Sequence, residues 1–291
     1  PRIANPADGL IFTANSRVID DAKWPQLADG SYALGARQAQ IADGLRARGK
    51  HSEQDMLKIA LDDRAVFLSR WHALLQRVTS DAGTAASADV QTIASLLTGW
   101  TGRAQPDNVA YRWVREFRAS VHDLVIEGLL HPVRERYPDL ELLRMRQLEA
   151  VVWQLLQEQP AHLLNPRYAT YEALLRDAIA HAVERVRASY PGALAERTFS
   201  EFSHKPVAHP LTRAIPALSP YLNMSDVPLP GDAFMPRVTR KWGGSSERFA
   251  VSPGRESEAY FHMPGGQSGH PLSDFYRKGH ADWVDGKLTP L

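Results

Sequence analysis

Asn15 follows Gly9 by six positions and closes the short apolar stretch Leu10-Ile11-Phe12. A carboxamide at a strand end can aim its N–H at a developing oxyanion, an interaction worth roughly 10²–10³ in rate. The same side chain also closes turns by bonding to nearby backbone, and the residues alone favour that second reading. Arg37 sits near the start of the helical sequence Tyr32-Ala33-Leu34-Gly35-Ala36-Arg37, where an arginine is by default a solvated surface residue. Gly265-Gly266-Gln267-Ser268-Gly269-His270 invites comparison with a nucleophile elbow. That motif needs Gly-x-Ser-x-Gly, however, and the second residue after Ser268 is His270. The glycines are expected to be structural, permitting close backbone approach in the sheet. The eleven histidines yield no metal set. His122, Glu127 and His131 share one helical stretch without the i, i+4 histidine pair of a zincin, and His204 and His209 lack carboxylates at ligand spacing. Asp20-Asp21 and Asp62-Asp63 read as solvated or capping acids. Pro1 as an N-terminal catalytic amine has no supporting partner residues.

The elements that must position these groups change character twice. Residues 1–30 are punctuated by turns and read as strand-like. Residues 31–195 read as a helical region. Ser52-Glu53-Gln54-Asp55 has capping-box spacing, and Met56, Ile59, Ala60, Phe67, Trp71, Leu74, Leu75 and Val78 recur at three-and-four spacing as one buried stripe. A second helix is predicted from Asp107, burying Ala110, Trp113, Val114, Phe117, Val121 and Leu124. A third is predicted from Pro138 toward Pro160 through Leu142, Leu148 and Leu155, and a fourth over 168–189. Shorter helices are predicted at 33–48 and 89–98, with a loop over 81–87. From residue 196 the helical period fades. Eleven of the twenty prolines fall between Pro206 and Pro290, which excludes long helices there. Short strands are predicted at 237–242, 249–251 and 259–261, separated by Pro-Gly and Gly-Gly turns. The order strand, helices, strands implies an α+β protein whose first and last segments share a sheet.

Bulk properties bound the function classes. A chain of 291 residues with 44% hydrophobic and 23% charged residues is ordinary for a globular protein. A net charge of +1, with arginines interleaved among acids, argues against a nucleic-acid partner. Zero cysteines exclude disulfides, thiol catalysis and Cys-ligated zinc. The longest apolar runs fall short of a membrane span, so no membrane partner is expected. The first residues show no charged region followed by an apolar one, and no signal peptide is expected in them.

Several motifs, in order, give this sequence a family resemblance. Met263-Pro264-Gly265-Gly266-Gln267-Ser268-Gly269-His270-Pro271-Leu272 resembles the C-terminal signature of the penicillin acylase family, amide hydrolases whose nucleophile is an N-terminal serine. Asn5-Pro6-x-x-Gly9 followed by Asn15 resembles the segment carrying the family's oxyanion asparagine. Arg37-Gln38-Ala39-Gln40-Ile41, 22 positions beyond Asn15, resembles its Arg-x-x-x-Ile helix start. Gly244-Ser245-Ser246-Glu247-Arg248 is similar to the family's Gly-x-Ser-x-Arg element, and His209-Pro210-Leu211 to another shared stretch. Its Trp-Asp-Gly stands here as Trp100-Thr101-Gly102, and its Ile-Gln-x-Asp as Ile59-Ala60-Leu61-Asp62. The resemblance is close over 1–60 and 196–291 and weaker between.

The resemblance implies a partial αββα N-terminal-nucleophile hydrolase sandwich with a largely helical middle region. It implies Asn15 as oxyanion donor and Arg37 as the residue orienting Asn15 and the N-terminal amine. The family's nucleophile segment, a Gly-Ser-Asn followed by an aromatic, has no counterpart here. The chain is therefore expected to be inactive alone and to partner the upstream α and β segments of a common precursor. The implied substrate is a small N-acyl compound such as the acyl side chain of a β-lactam, with an acyl-homoserine lactone as one alternative. A non-catalytic helical binding or scaffold module is the other. No cofactor is implied. The family's structural calcium would place one ligand just past Pro25, where Gln26 stands with Asp29 the nearest acid, a departure from the pattern. The implied location is periplasmic or secreted.

Overall fold

The computed structural model describes residues 3–17, 32–83, 86–138, 147–204, 206–240 and 243–291. Pro1, Asp20-Asp21, Gln26, Asp29, Leu142 and Trp242 lie outside them. Among the described residues the helices are α1 (Ala36–Arg46), α2 (Glu53–Ala60), α3 (Ser69–Asp81), α4 (Ala88–Leu96), α5 (Val109–Arg136), α6 (Glu149–Glu158), α7 (Tyr171–Ser189), α8 (Phe199–Ser203), α9 (Ser219–Leu222) and α10 (His280–Asp285). The strands are β1 (Thr239–Arg240), β2 (Gly243–Gly244), β3 (Arg248–Ala250) and β4 (Tyr260–His262), paired antiparallel as β1–β2 and β3–β4. This is an α+β chain dominated by helix.

The backbone groups into two compact units that do not follow sequence order. One comprises residues 1–35, 66–102 and 108–198; the other comprises 36–65, 103–107 and 199–291. In the first unit, the long helix α5 packs on α7 and α3. The predicted α5 stripe is buried in full: Ala110, Trp113, Val114, Phe117, Val121 and Leu124 all lie in the core. α7 answers with Leu174, Leu175, Ala178, Ile179, Ala182, Val183 and Val186, an i, i+3, i+4 set that fills one face. Asn108 caps α5, its Oδ1 accepting from the Tyr111 amide at 2.7 Å, so the helix begins at Val109 rather than at Asp107. Trp100 stacks between His72 and Tyr111, with ring centroids 4.6 and 5.8 Å away.

In the second unit, Ser52 Oγ accepts from the Asp55 amide and Asp55 Oδ2 accepts from the Ser52 amide, each at 3.2 Å. The capping box is therefore formed, and it sets α2 against β3. The C-terminal tail turns tightly at Gly266, whose amide donates to the Tyr276 carbonyl at 2.9 Å. A Cβ at Gly266 would sit 1.7 Å from the Phe275 carbonyl oxygen, so only glycine fits this approach.

Three expectations need correction. The stripe over residues 56–78 is not one helix. α2 ends at Ala60 and α3 starts at Ser69, with Asp62 Oδ1 accepting from the Arg64 amide between them. Met56 belongs to the second unit and is exposed, whereas Trp71, Leu75 and Val78 are core residues of the first. Residues 3–17 hold turns rather than a strand, and Ile11 is 67% exposed. The C-terminal segment carries strands of only two or three residues between turns and 3₁₀ pieces. The predicted third helix begins not at Pro138 but at Glu149.

Candidate functional site

The backbone explains the spacing of the N-terminal motif. Pro6 O accepts from the Gly9 amide at 2.9 Å, closing a turn, and Asp8 Oδ1 accepts from the Leu10 amide at 3.2 Å. Three positions adopt left-handed backbone: Asn5 at φ 49°, Gly9 at φ 68° and Asn15 at φ 61°. Glycine and asparagine are the residues that take this conformation at little cost, which is why the pattern reads Asn, Gly, Asn. Ala14 and Ser16 are buried on either side of Asn15, and Asn15 itself is exposed. Its carbonyl accepts from the Ala33 amide at 2.8 Å, tying the turn to the residues that lead into α1. Asn15 is therefore an exposed residue on a left-handed turn backbone.

Arg37 occupies the first turn of α1 in the second unit and is half-buried. Burial lowers its guanidinium pKa, and the like charge of Arg240 on β1 lowers it further. Arginine still stays ionised, so α1 opens beside a concentrated positive field. Asn15 and Arg37 fall in different units.

The Gly-x-Ser-x-Arg element delivers a second buried cation. Arg248 on β3 is 6% exposed, donates from Nη1 to the Trp283 carbonyl at 2.8 Å, and lies 5.0 Å over the Trp283 ring. Burial and the neighbouring Arg237 bring its pKa down to about 10. Arg237 is also lowered by burial, with Asp63 partly opposing, and donates to the Val284 carbonyl at 3.2 Å.

The acids and histidines resolve into structural roles that sequence spacing did not reveal. Asp63 is not solvated: it is buried and bound by Arg103 and by Gln105 Nε2 at 2.6 Å. His204 meets Asp226, a carboxylate 22 residues away. His122 lies 2.8 Å from Glu149 Oε2. Glu149, 4% exposed, also binds Arg118 Nη2 at 2.5 Å, Trp71 Nε1 at 2.9 Å and Arg70. Burial alone would push the Glu149 carboxyl up. The His122 contact and the Arg118 guanidinium outweigh it and hold the pKa at about 2. The signal for this knot was a lone Glu at a helix start, and its partners stand 27 to 79 positions away, beyond any local pattern. Among the described residues no group of three His, Asp or Glu side chains is arranged to hold a metal ion, and no helix is long and apolar enough to cross a membrane. Ser268 Oγ accepts from the His270 amide at 3.1 Å, and the His270 ring accepts from Leu272; neither side chain activates the other.

Comparison with known proteins places these features in context. The family model described as penicillin amidase matches residues 1–291. The penicillin acylase 2 proenzyme of Pseudomonas sp. (strain SE83) is 25% identical over 309 residues, an alignment that takes in all of this chain. The chain spans 37% of that relative's length.

Proposed function

This chain belongs to the penicillin amidase family, and from that premise we propose that it is part of an amidohydrolase that cleaves a linear amide in a small N-acyl compound. In this reading the attacking group is an N-terminal serine supplied by another segment of a proenzyme-like precursor. The serine's own α-amine, with an ordinary pKa near 8, serves as its base. The hydroxyl adds to the amide carbonyl, the amine takes its proton, and the tetrahedral intermediate collapses as the proton passes to the leaving nitrogen. Water then releases the acid from the acyl-enzyme. Asn15 donates its carboxamide N–H to the oxyanion. Arg37 orients that group and adds positive charge beside it. The fold completed in the precursor is the αββα sandwich, which supplies the strands that Leu10-Ile11-Phe12 pairs with.

The observation that supports this reading most is the left-handed backbone of the exposed Asn15, flanked by buried Ala14 and Ser16. An oxyanion donor has to be fixed before charge develops, and a defined backbone conformation at position 15 suits that requirement. The test is Asn15→Gly in the complete precursor, since glycine keeps the backbone and deletes only the carboxamide. The expected result is a fall of about 10²–10³ in kcat with little change in KM, on an N-acyl chromogenic amide. An unchanged kcat overturns the assignment. A matured precursor lacking an N-terminal serine overturns the mechanism. The acyl preference, β-lactam side chain or acyl-homoserine lactone, is read from the same enzyme with both substrates.

A further inference from the structure

The second unit contains a cleft of about 290 Å³ whose walls include Val207, Leu229 and Val238 and whose polar lining includes Arg240, Arg248 and Trp283. Two of these groups are buried donors that the fold leaves unused. Arg248 is 6% exposed and Trp283 is 5% exposed, and neither Arg248 Nε nor Trp283 Nε1 has a hydrogen-bond partner. Among the described residues no carboxylate lies within ion-pair distance of Arg248 or Arg240. Histidine His204, also in the lining, already has its acid in Asp226.

A buried donor without an acceptor costs about 1–3 kcal/mol, and more where it is charged. A buried donor without an acceptor calls for an explanation. A buried tryptophan N–H usually finds a hydrogen-bond partner, and a structural arginine normally takes a carboxylate or several carbonyls. Here the guanidinium takes one carbonyl, the repulsion from Arg237 is left standing, and Arg240 adds a second cation. Among the described residues, no carboxylate pairs with Arg240 or Arg248 in the lining of the cleft.

We propose that this cleft binds a small organic carboxylate, its oxygens accepting from Arg248 and the Trp283 indole and its apolar body lying on Val207, Leu229 and Val238. The walls decide the class of anion: an inorganic oxyanion would leave them unfilled, and a neutral amide would leave the cations unpaired. A guanidinium presents the fork that a carboxylate matches. Arg37 does not line the cleft, and the assignment stands whether or not the chain takes part in amide hydrolysis.

Isothermal titration calorimetry of the full chain with benzoate tests this, with benzamide and sulfate as comparators. Benzoate is expected to bind saturably at one site, and both comparators at least about tenfold more weakly, the worth of a charge-assisted hydrogen bond. Trp283→Phe keeps the ring and removes the N–H, and Arg240→Gln removes only a rim charge. Each is expected to weaken benzoate about tenfold with the circular dichroism unchanged. Arg248→Gln is expected to abolish binding, and if that variant does not fold, the two milder variants carry the test. The proposal is overturned if benzoate produces no saturable heat at tens of millimolar. It is equally overturned if benzamide or sulfate binds as tightly, or if Trp283→Phe and Arg240→Gln both leave benzoate affinity unchanged.

Discussion

Two buried charges, Glu149 in the first unit and Arg248 in the second, are treated in opposite ways. In the first, the Glu149 carboxylate is enclosed by Arg70, Arg118, His122 and the Trp71 indole, so every lone pair that burial strips of water finds a donor. In the second, Arg248 is as deeply buried yet takes a single carbonyl and faces another cation. A compensated charge contributes to stability and becomes fragile when a partner is removed. An uncompensated one costs stability and is retained for something outside the fold's own needs. The same chemistry, a guanidinium in a low-dielectric setting, thus marks structure in one place and a binding surface in the other.

The comparison breaks most visibly at Glu149. Glu149→Ala strands two guanidinium groups and is expected to destabilise the first unit by about 3–5 kcal/mol in urea unfolding, the usual cost of removing one partner from a buried ion pair. Acid attacks the same knot. The folded carboxyl, at about 2, lies below its ordinary value of 4.5. Its stabilisation is therefore full above pH 4.5 and lost as pH falls from there toward 2. Integrated over that window the loss is about 3 kcal/mol, checked by unfolding at stepped pH, and Glu149→Gln should flatten it. A smaller effect belongs to the second unit. Gly266→Ala places a methyl against the Phe275 carbonyl and is expected to cost about 1–3 kcal/mol, read as a lowered transition midpoint with α5 and α7 protected as before in hydrogen exchange. The smallest stability effect is the sharpest contrast. Arg248→Met removes a charge the fold does not compensate, so unfolding free energy should shift by less than about 1 kcal/mol. A loss as large as that for Glu149→Ala would erase the distinction between the units.

What the sequence disclosed was local and periodic. The Ser52–Asp55 capping box, the α5 stripe and the α7 stretch depend on residues within a few turns of one another, so spacing alone reveals them. The single stripe read over 56–78 failed because Asp62 and Arg64 stop the helix through a side-chain to backbone bond that periodicity does not register. The ion knot around Glu149 and the role of Asp63 were hidden for a different reason: their partners are supplied by other helices or loops dozens of positions away. For the candidate site, Asn15 and Arg37 were reachable only through family motifs. Nothing in an isolated asparagine or a helix-start arginine separates chemistry from ordinary surface. The backbone of Asn15 supplies a physical reason for its residue type, and the burial of Arg248 was not legible in a motif identified by resemblance alone.

The left-handed conformation at position 15 also limits what tolerance to substitution can reveal. Few side chains settle there, and glycine is the easiest of them. A well-folded decoy therefore lies one exchange away, with the same melting behaviour and the same outline but no donor for a negative oxygen. Screens that select for solubility or thermal endurance would pass it without complaint, so shape and chemistry at this residue have to be assayed separately.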